Sequence, residues 1–446
     1  MTSRSVPLIS AFAPRLIEAA KSARTRPVKG RITRAVGNLI HATVPDAKLG
    51  DVCSLQDVDS GALSYAEIVG FDGAVAMLSP LGFIAGLSTA TEVRTTGRVL
   101  DVPVGKPLLG RVLGGFGNPL DADSLGELPP MPTRPLYSAA PPVLSRTPIS
   151  KPLPFGIRVI DGLLTCGEGQ RIGIYGPPGS GKSLLLAQII RMAAADIRVI
   201  ALVGERGREV NEFLQKHLTG EARANSIIIA ATSDRSPVER VKAAHAAMTI
   251  AEHFRDEGCR VLLAVDSVTR LARALREIGL AAGEPPARRG FPPSVFTVLP
   301  ALFERAGTSG RGSITGVFSV LTEGDGTADP VAEETRGLLD GHIVLSPKLA
   351  QAGHFPAIDV VASLSRVMMD AVTPAHLAAS QKVRQLLSKY SEIEFLLHVG
   401  EYKAGSDPLI DEAIAKRPMI EKFSRQPFNE CAPFGQTVDL VKSLAL

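Results

Sequence analysis

The stretch GPPGSGKS, Gly176 to Ser183, constrains this chain more than any other feature. It fits the spacing GxxxxGK[ST] and lies between an apolar run, RIGIY, and a helix-forming one, SLLLAQII. That is where such a loop works. Gly176, Pro177, Pro178, Gly179, Ser180 and Gly181 form a turn whose glycines let backbone N–H groups wrap phosphates, and the following helix adds the positive end of its dipole. Lys182 is placed to reach the β- and γ-phosphates and Ser183 to hold Mg²⁺, so ATP and Mg²⁺ are the expected ligands.

Around the loop, apolar strands alternate with helical segments, the mark of a parallel sheet covered by helices. RIGIYG, IRVIALVGE, SIIIAATS and CRVLLAVDS read as strands; KSLLLAQIIRMAAA, VNEFLQKHL and PVERVKAAHAAMTIAEHFRDEG read as helices. Before them, GRITRAVGNLIHATV, GDVCSL, YAEIVGFDGAVAML and GFIAGL are short β-rich runs broken by glycine, which predicts a small β-barrel or sandwich. Pro119 to Pro154 is proline-rich and too irregular for regular elements, a connector along a surface. After Pro374 the chain turns helical and polar.

The expected organisation is therefore an N-terminal segment, 1–28; a β-barrel, 29–97; an α/β phosphate-loop domain, 98–374, containing the connector 119–154; and a C-terminal helical domain, 375–446. In the first segment, LISAFAPRLIEAAKSARTR reads either as a membrane-surface helix or as a frayed terminus. Its Pro14 and Glu18 interrupt any signal-peptide core.

Composition narrows the partners. With 49 basic and 45 acidic residues the net charge is +4, so no overall excess argues for nucleic acid or an anionic membrane. Four scattered cysteines without a CxxC pair speak against a zinc site and for free thiols in a reducing cytoplasm. The longest apolar runs are of strand length, short of the ~20 residues that cross a bilayer.

Hydrolysis needs a positioned water and charge compensation as well as binding. Two carboxylates end the next apolar strands: Asp266 closes VLLAVD and suits the Mg²⁺ shell, and Glu205 closes VIALVGE and suits polarisation of the attacking water. Each alone also reads as a helix cap at a strand end. Because Asp266 is followed by Ser267 and the second carboxylate lies on an earlier strand, the pattern is that of RecA-like and rotary ATPases, not of AAA+ unfoldases or kinases.

Longer motifs carry a resemblance. GERGREVNEF, DSVTRLARALREIGLAAGEPPARRGFPPSVF, LDGHIVLS, FPAIDV and SLSRVM resemble the protein-export ATPases of type III secretion, relatives of the rotary ATP synthase catalytic subunit, over about Gly30 to Gln426. The resemblance implies a RecA-like core and a cytoplasmic homohexamer at the inner membrane face, with sites between neighbouring subunits. It also implies stator and central-stalk partners, an export gate, and chaperone and secreted-protein complexes.

Carried over residue by residue, it places phosphate and Mg²⁺ binding on Lys182 and Ser183, the catalytic base on Glu205 and the Mg²⁺-shell carboxylate on Asp266. Arg366 matches the arginine finger of the adjacent subunit, with a structural salt bridge as the alternative; its planar charge suits a transition state. Arg206 and Arg270 match secondary phosphate or interface contacts, and Phe355 an aromatic that packs on adenine. Phe428, ending QPF, is a candidate second wall. GEPPARRG would face the hexamer channel with Arg288 and Arg289, or be a solvated connector.

Two stretches depart from the family pattern. Pro347 stands where a basic residue is usual, and TEGDGTADPVAEETRG replaces a more acidic loop. Asp161 and Cys166 in IDGLLTCGEGQRIGI favour the injectisome branch over the flagellar one. An RNA-translocating hexamer would need an N-terminal domain with stacking aromatics, whereas the first hundred residues have few and the chain has no Trp. A non-catalytic subunit would lack the carboxylate that Glu205 supplies.

Overall fold

The computed structural model describes residues 18, 29–37, 39–82, 86–322 and 329–446. The expectation for the segment 1–28 falls, Glu18 apart, outside the described residues, as do the 83–85 part of GFIAGL and the 323–328 part of the divergent loop. The chain divides into two compact units at Arg98/Val99.

The first unit is a closed six-stranded barrel. Its strands are β1 (Gly30–Val36), β2 (Leu39–Thr43), β3 (Asp51–Gln56), β4 (Leu63–Asp72), β5 (Val75–Pro80) and β6 (Glu92–Val99), in the order β1-β2-β5-β4-β3-β6. Alternation turns Ile32, Ile40, Cys53, Leu55, Ile68, Leu78 and Val93 into one core. Gly30 is required by the β1–β2 approach: a Cβ there would lie 1.7 Å from the Thr43 carbonyl oxygen.

The second unit is built on a nine-stranded sheet. Its strands are β8 (Val112–Leu113), β10 (Arg171–Gly176), β11 (Ile197–Val203), β12 (Ser226–Ala231), β13 (Arg260–Asp266), β14 (Gly307–Thr308), β15 (Ser313–Leu321), β16 (Gly341–Leu345) and β17 (Ile358–Ser365). The order is β17-β16-β10-β15-β13-β11-β12-β8, parallel except for β17 at one edge, with β14 antiparallel to β15. The strands are apolar throughout because both faces are covered. Val199, Ala201 and Val203 of β11 face the helices Pro237–Asp256, Val268–Ala281 and Pro293–Phe303; Ile200 and Leu202 face the phosphate-loop helix Lys182–Met192.

The C-terminal helices Pro374–His398, Pro408–Ser424 and Phe434–Ala445 pack into the second unit rather than apart from it. Val383, Leu386, Phe423 and Val441 share one apolar cluster with Ile172, Ile189 and Ile343. The connector is more regular than its prolines predict. Thr133–Pro135 (β9) pairs antiparallel with Asp101–Pro103 (β7), a contact whose other half lies some thirty residues upstream. Behind it, Arg305 donates to both oxygens of buried Glu252 and to Thr249 and the Leu136 carbonyl, tying the connector to the sheet's helices.

Candidate functional site

β10 ends at Gly176, and the helix that carries Lys182 and Ser183 starts six residues later. Gly179 (φ 79°) and Gly181 (φ 93°) take left-handed conformations that L side chains rarely adopt, which turns the loop back on itself. Lys182 is buried and its ammonium donates to the Gly176 and Pro177 carbonyl oxygens, both at 2.7 Å. Burial pushes its pKa down to about 8, against the pull of Asp266 and Glu205.

Ser183, Glu205 and Asp266 line one cavity of about 290 Å³, together with Leu202, Glu209 and Phe213. Asp266 ends β13 and Glu205 lies two residues past the end of β11, its parallel neighbour, so the sheet delivers both to the loop's side. Burial, then the neighbouring Asp266 charge, push the Glu205 pKa up to about 8, opposed by Arg270. Burial likewise raises Asp266, opposed by Ser319, Lys182 and Arg270. Arg270 reaches Glu205 from the first turn of the helix whose N-cap is Ser267. Glu205, Glu209 and Asp266 together put negative charge beside the loop, which favours a cation there.

A second cavity of about 280 Å³ adjoins the same helix, bounded by Leu184, Leu185, Gln188, Phe355, Pro356 and Phe428. The fold thus brings together the two candidate aromatic walls, 73 residues apart in sequence. Phe428 is held by Arg191, which lies over its ring at 4.6 Å and donates to the Phe428 carbonyl and to Asn429. Phe355 is held by the backbone N–H of Gln426, which donates to its carbonyl at 2.9 Å.

Arg366 is not in this cavity. Ser365 pairs with Gly341 at the start of β16, and β16 runs parallel to β10 with His342 opposite Gly173. That level lies about 13 Å of strand below the phosphate loop, at the opposite end of the sheet. There the exposed Arg366 donates to the Arg336 carbonyl at 3.3 Å. Arg206 is exposed beside Glu209 at 3.8 Å, turned to solvent. Arg288 is paired with Glu333 at 2.9 Å and Glu334 at 3.3 Å of the same chain, and Arg289 has φ 48°. Pro347 has a local account: it is the first residue of the short helix Pro347–Gln351, capped by the Ser346 hydroxyl, a position that suits proline.

Residues 156–365 match the nucleotide-binding domain of the ATP synthase alpha/beta family, 32–97 the β-barrel domain of that family, and 372–443 the T3SS EscN ATPase C-terminal domain. A type 3 secretion system ATPase of Sinorhizobium fredii is 54% identical over 425 residues, 95% of this chain and 94% of its own. The chain belongs to the type 3 secretion system ATPase family.

Its fold agrees with that assignment. The assembled ATPase EscN of enteropathogenic E. coli superposes with a TM-score of 0.88 at 44% identity, over 94% of this chain and all of that one; EscN in complex with its central stalk EscO gives 0.86 at 43%, with the same coverage. A flagellum-specific ATP synthase of Bacillus subtilis is 45% identical over 93% of this chain and 94% of its own. Among the described residues, no helix of this ATPase is long and apolar enough to cross a membrane, and all four cysteines are free thiols.

Several residues around the candidate site carry no local signal strong enough to single them out. Glu209, one helical turn after Glu205, hydrogen-bonds to its carboxyl group and helps to raise it. Arg191 lies nine residues beyond Lys182, visible only as one more basic residue on a helix. Arg158 anchors the segment that carries Phe428: it pairs with Glu430 and donates to the Phe423 carbonyl at 3.0 Å and to the Arg425 carbonyl.

Proposed function

We propose that this ATPase hydrolyses ATP to ADP and phosphate at sites shared between neighbouring copies of a homohexamer, and that the hydrolysis powers protein export through an injectisome. Its work there is to release chaperones and unfold secreted proteins beneath the export gate, with a stator and a central stalk as partners and no nucleic acid. The stalk proposal draws on the EscN–EscO complex; the injectisome branch draws on the 54% identity to the Sinorhizobium fredii type 3 secretion ATPase against 45% to the flagellar relative. Flagellar export is the second reading, supported by that flagellar relative. Residence is cytoplasmic, peripheral at the inner membrane. The working parts are the barrel 29–97, the ATPase domain 98–374 and the helical domain 375–446.

The roles follow from chemistry. Backbone N–H groups of Gly176–Gly181 and the Lys182 ammonium bind the phosphates. The Ser183 hydroxyl and the Asp266 carboxylate face one cavity and would hold Mg²⁺, which supplies charge neutralisation at the phosphates when bound. Glu205 orients the attacking water, and Arg270 orients Glu205. Phe355 and Phe428 pack on the base. Arg206 contacts phosphate or the neighbouring copy at the rim.

One observation carries the shared-site reading: Ser183, Glu205 and Asp266 meet in one cavity while Arg366 leaves the sheet at its opposite end. A finger so placed serves a neighbour's phosphate rather than its own. The test mixes two inactive variants, Lys182→Ala and Arg366→Ala. Random co-assembly should restore about a quarter of the wild-type activity per interface, since that share pairs an intact loop with an intact arginine. Mixtures as inactive as their components would overturn the shared site.

A further inference from the structure

The helix after the phosphate loop carries an amide into the base cavity. Gln188 is 4% exposed and lines that cavity with Leu184, Leu185, Phe355 and Phe428. Its Nε2 donates to the Pro427 carbonyl at 3.5 Å, which fixes the orientation of the amide: turned over, Oε1 would face that carbonyl, acceptor against acceptor. No donor among the described residues reaches Gln188 Oε1.

The other amide at the cavity is fully engaged. Gln426 Nε2 donates to the Gly156 and Glu430 carbonyls at 2.8 and 2.7 Å, and its Oε1 accepts from the Arg158 N–H at 2.8 Å. Gln188 Oε1 is therefore the side-chain acceptor left for whatever enters that cavity. A ligand that brings a donor to that oxygen gains a hydrogen bond beyond what stacking alone provides.

We propose that Gln188 determines base specificity by accepting a hydrogen bond from the 6-amino group of adenine. Guanine and hypoxanthine place a carbonyl oxygen at that position, and a site built to receive a donor discriminates against bases that lack it. The inference rests on the reading of Phe355 and Phe428 as base walls.

The experiment compares kcat/KM for ATP, inosine triphosphate and purine riboside triphosphate, which has no 6-substituent, in the wild-type oligomer and in Gln188→Leu and Gln188→Met. Wild type should prefer ATP to both analogues by about three- to ten-fold, the size of one hydrogen bond. Either variant should lose that factor for ATP while changing the purine riboside nucleotide less than two-fold. The rise in unfolding temperature that each nucleotide produces should follow the same order. A wild-type preference near one, or a preference that survives in a folded variant, overturns the proposal. Phe355→Ala separates the two readings: it should weaken all three nucleotides alike, and unchanged KM values in that variant sink the base walls whatever Gln188 does.

Discussion

Arg270 pairs with the Glu205 carboxylate: Nη2 donates to Oε2 at 3.0 Å, and Nε stands 3.0 Å from Oε1 without hydrogen-bonding to it. The same guanidinium donates to the Gly204 carbonyl, so one side chain fixes both the acid and the strand end that presents it. A planar fork can do this and an ammonium cannot.

That pair predicts a pH dependence. In its proposed role Glu205 would orient water only when ionised, and burial with the Asp266 charge raises its pKa well above 4.5, so the ionised fraction grows as pH rises through neutrality. The kcat/KM for ATP, which reports the free enzyme, should climb from pH 6 to 8. Arg270→Gln removes the opposing charge and should shift this limb further alkaline, lowering kcat/KM at pH 7 by about ten-fold. An unmoved limb would contradict the role given to Arg270.

Arg366→Ala should cut kcat by about 10³-fold and leave nucleotide affinity within two-fold of wild type, because the residue stands away from its own chain's cavity. Fluorescent-nucleotide titration beside steady-state hydrolysis measures both. A large loss of affinity would contradict the finger assignment.

Gly341→Ala probes the platform beneath that arginine. A Cβ at Gly341 would stand 2.5 Å from the Leu364 carbonyl oxygen and 3.1 Å from Gln170 Nε2, which itself donates to Ser365. The β16–β17 pairing must shift, and Arg366 with it. We expect kcat to fall at least ten-fold, since small displacements of a catalytic group are expensive, with ATP affinity retained.

Arg158→Ala should loosen the segment of Phe428. It removes the Glu430 ion pair and two hydrogen bonds to the Phe423 and Arg425 carbonyls, so we expect KM for ATP to rise several-fold and unfolding stability to drop by about 1–3 kcal/mol. Normal KM with lowered stability would show that the segment holds its place without the anchor.

Arg305→Met strands a buried carboxylate. Arg305 and Glu252 are 3% and 4% exposed and paired at 2.8 Å, and an uncompensated buried charge costs about 3–5 kcal/mol. Chemical denaturation should show that loss, and Glu252→Leu in the same chain should recover much of it.

Local order along the chain made much of the machine legible. Gly176 to Ser183, the strands ending at Val203 and Asp266 and the helices from Pro237 and Pro374 were readable because strand–loop–helix chemistry is written in consecutive residues. The connector strand Thr133–Pro135 was not, since it pairs with the distant Asp101–Pro103 and its prolines argue against a strand on local grounds. The same holds for Arg288, whose charges read as free until Glu333 and Glu334 fold against them.

The sequence by itself determined the motif framework: a phosphate-loop pattern and two carboxylates at the ends of apolar strands, at spacings that suit a parallel sheet. What tertiary structure decided was company. Packing brought Phe428 and Phe355 to one cavity, set Gln188 in its lining and put Arg366 at the far end of the sheet from its own loop. Periodicity carries no information on such pairings, because strand order and register are fixed by burial of both sheet faces at once and not by any neighbour in the chain.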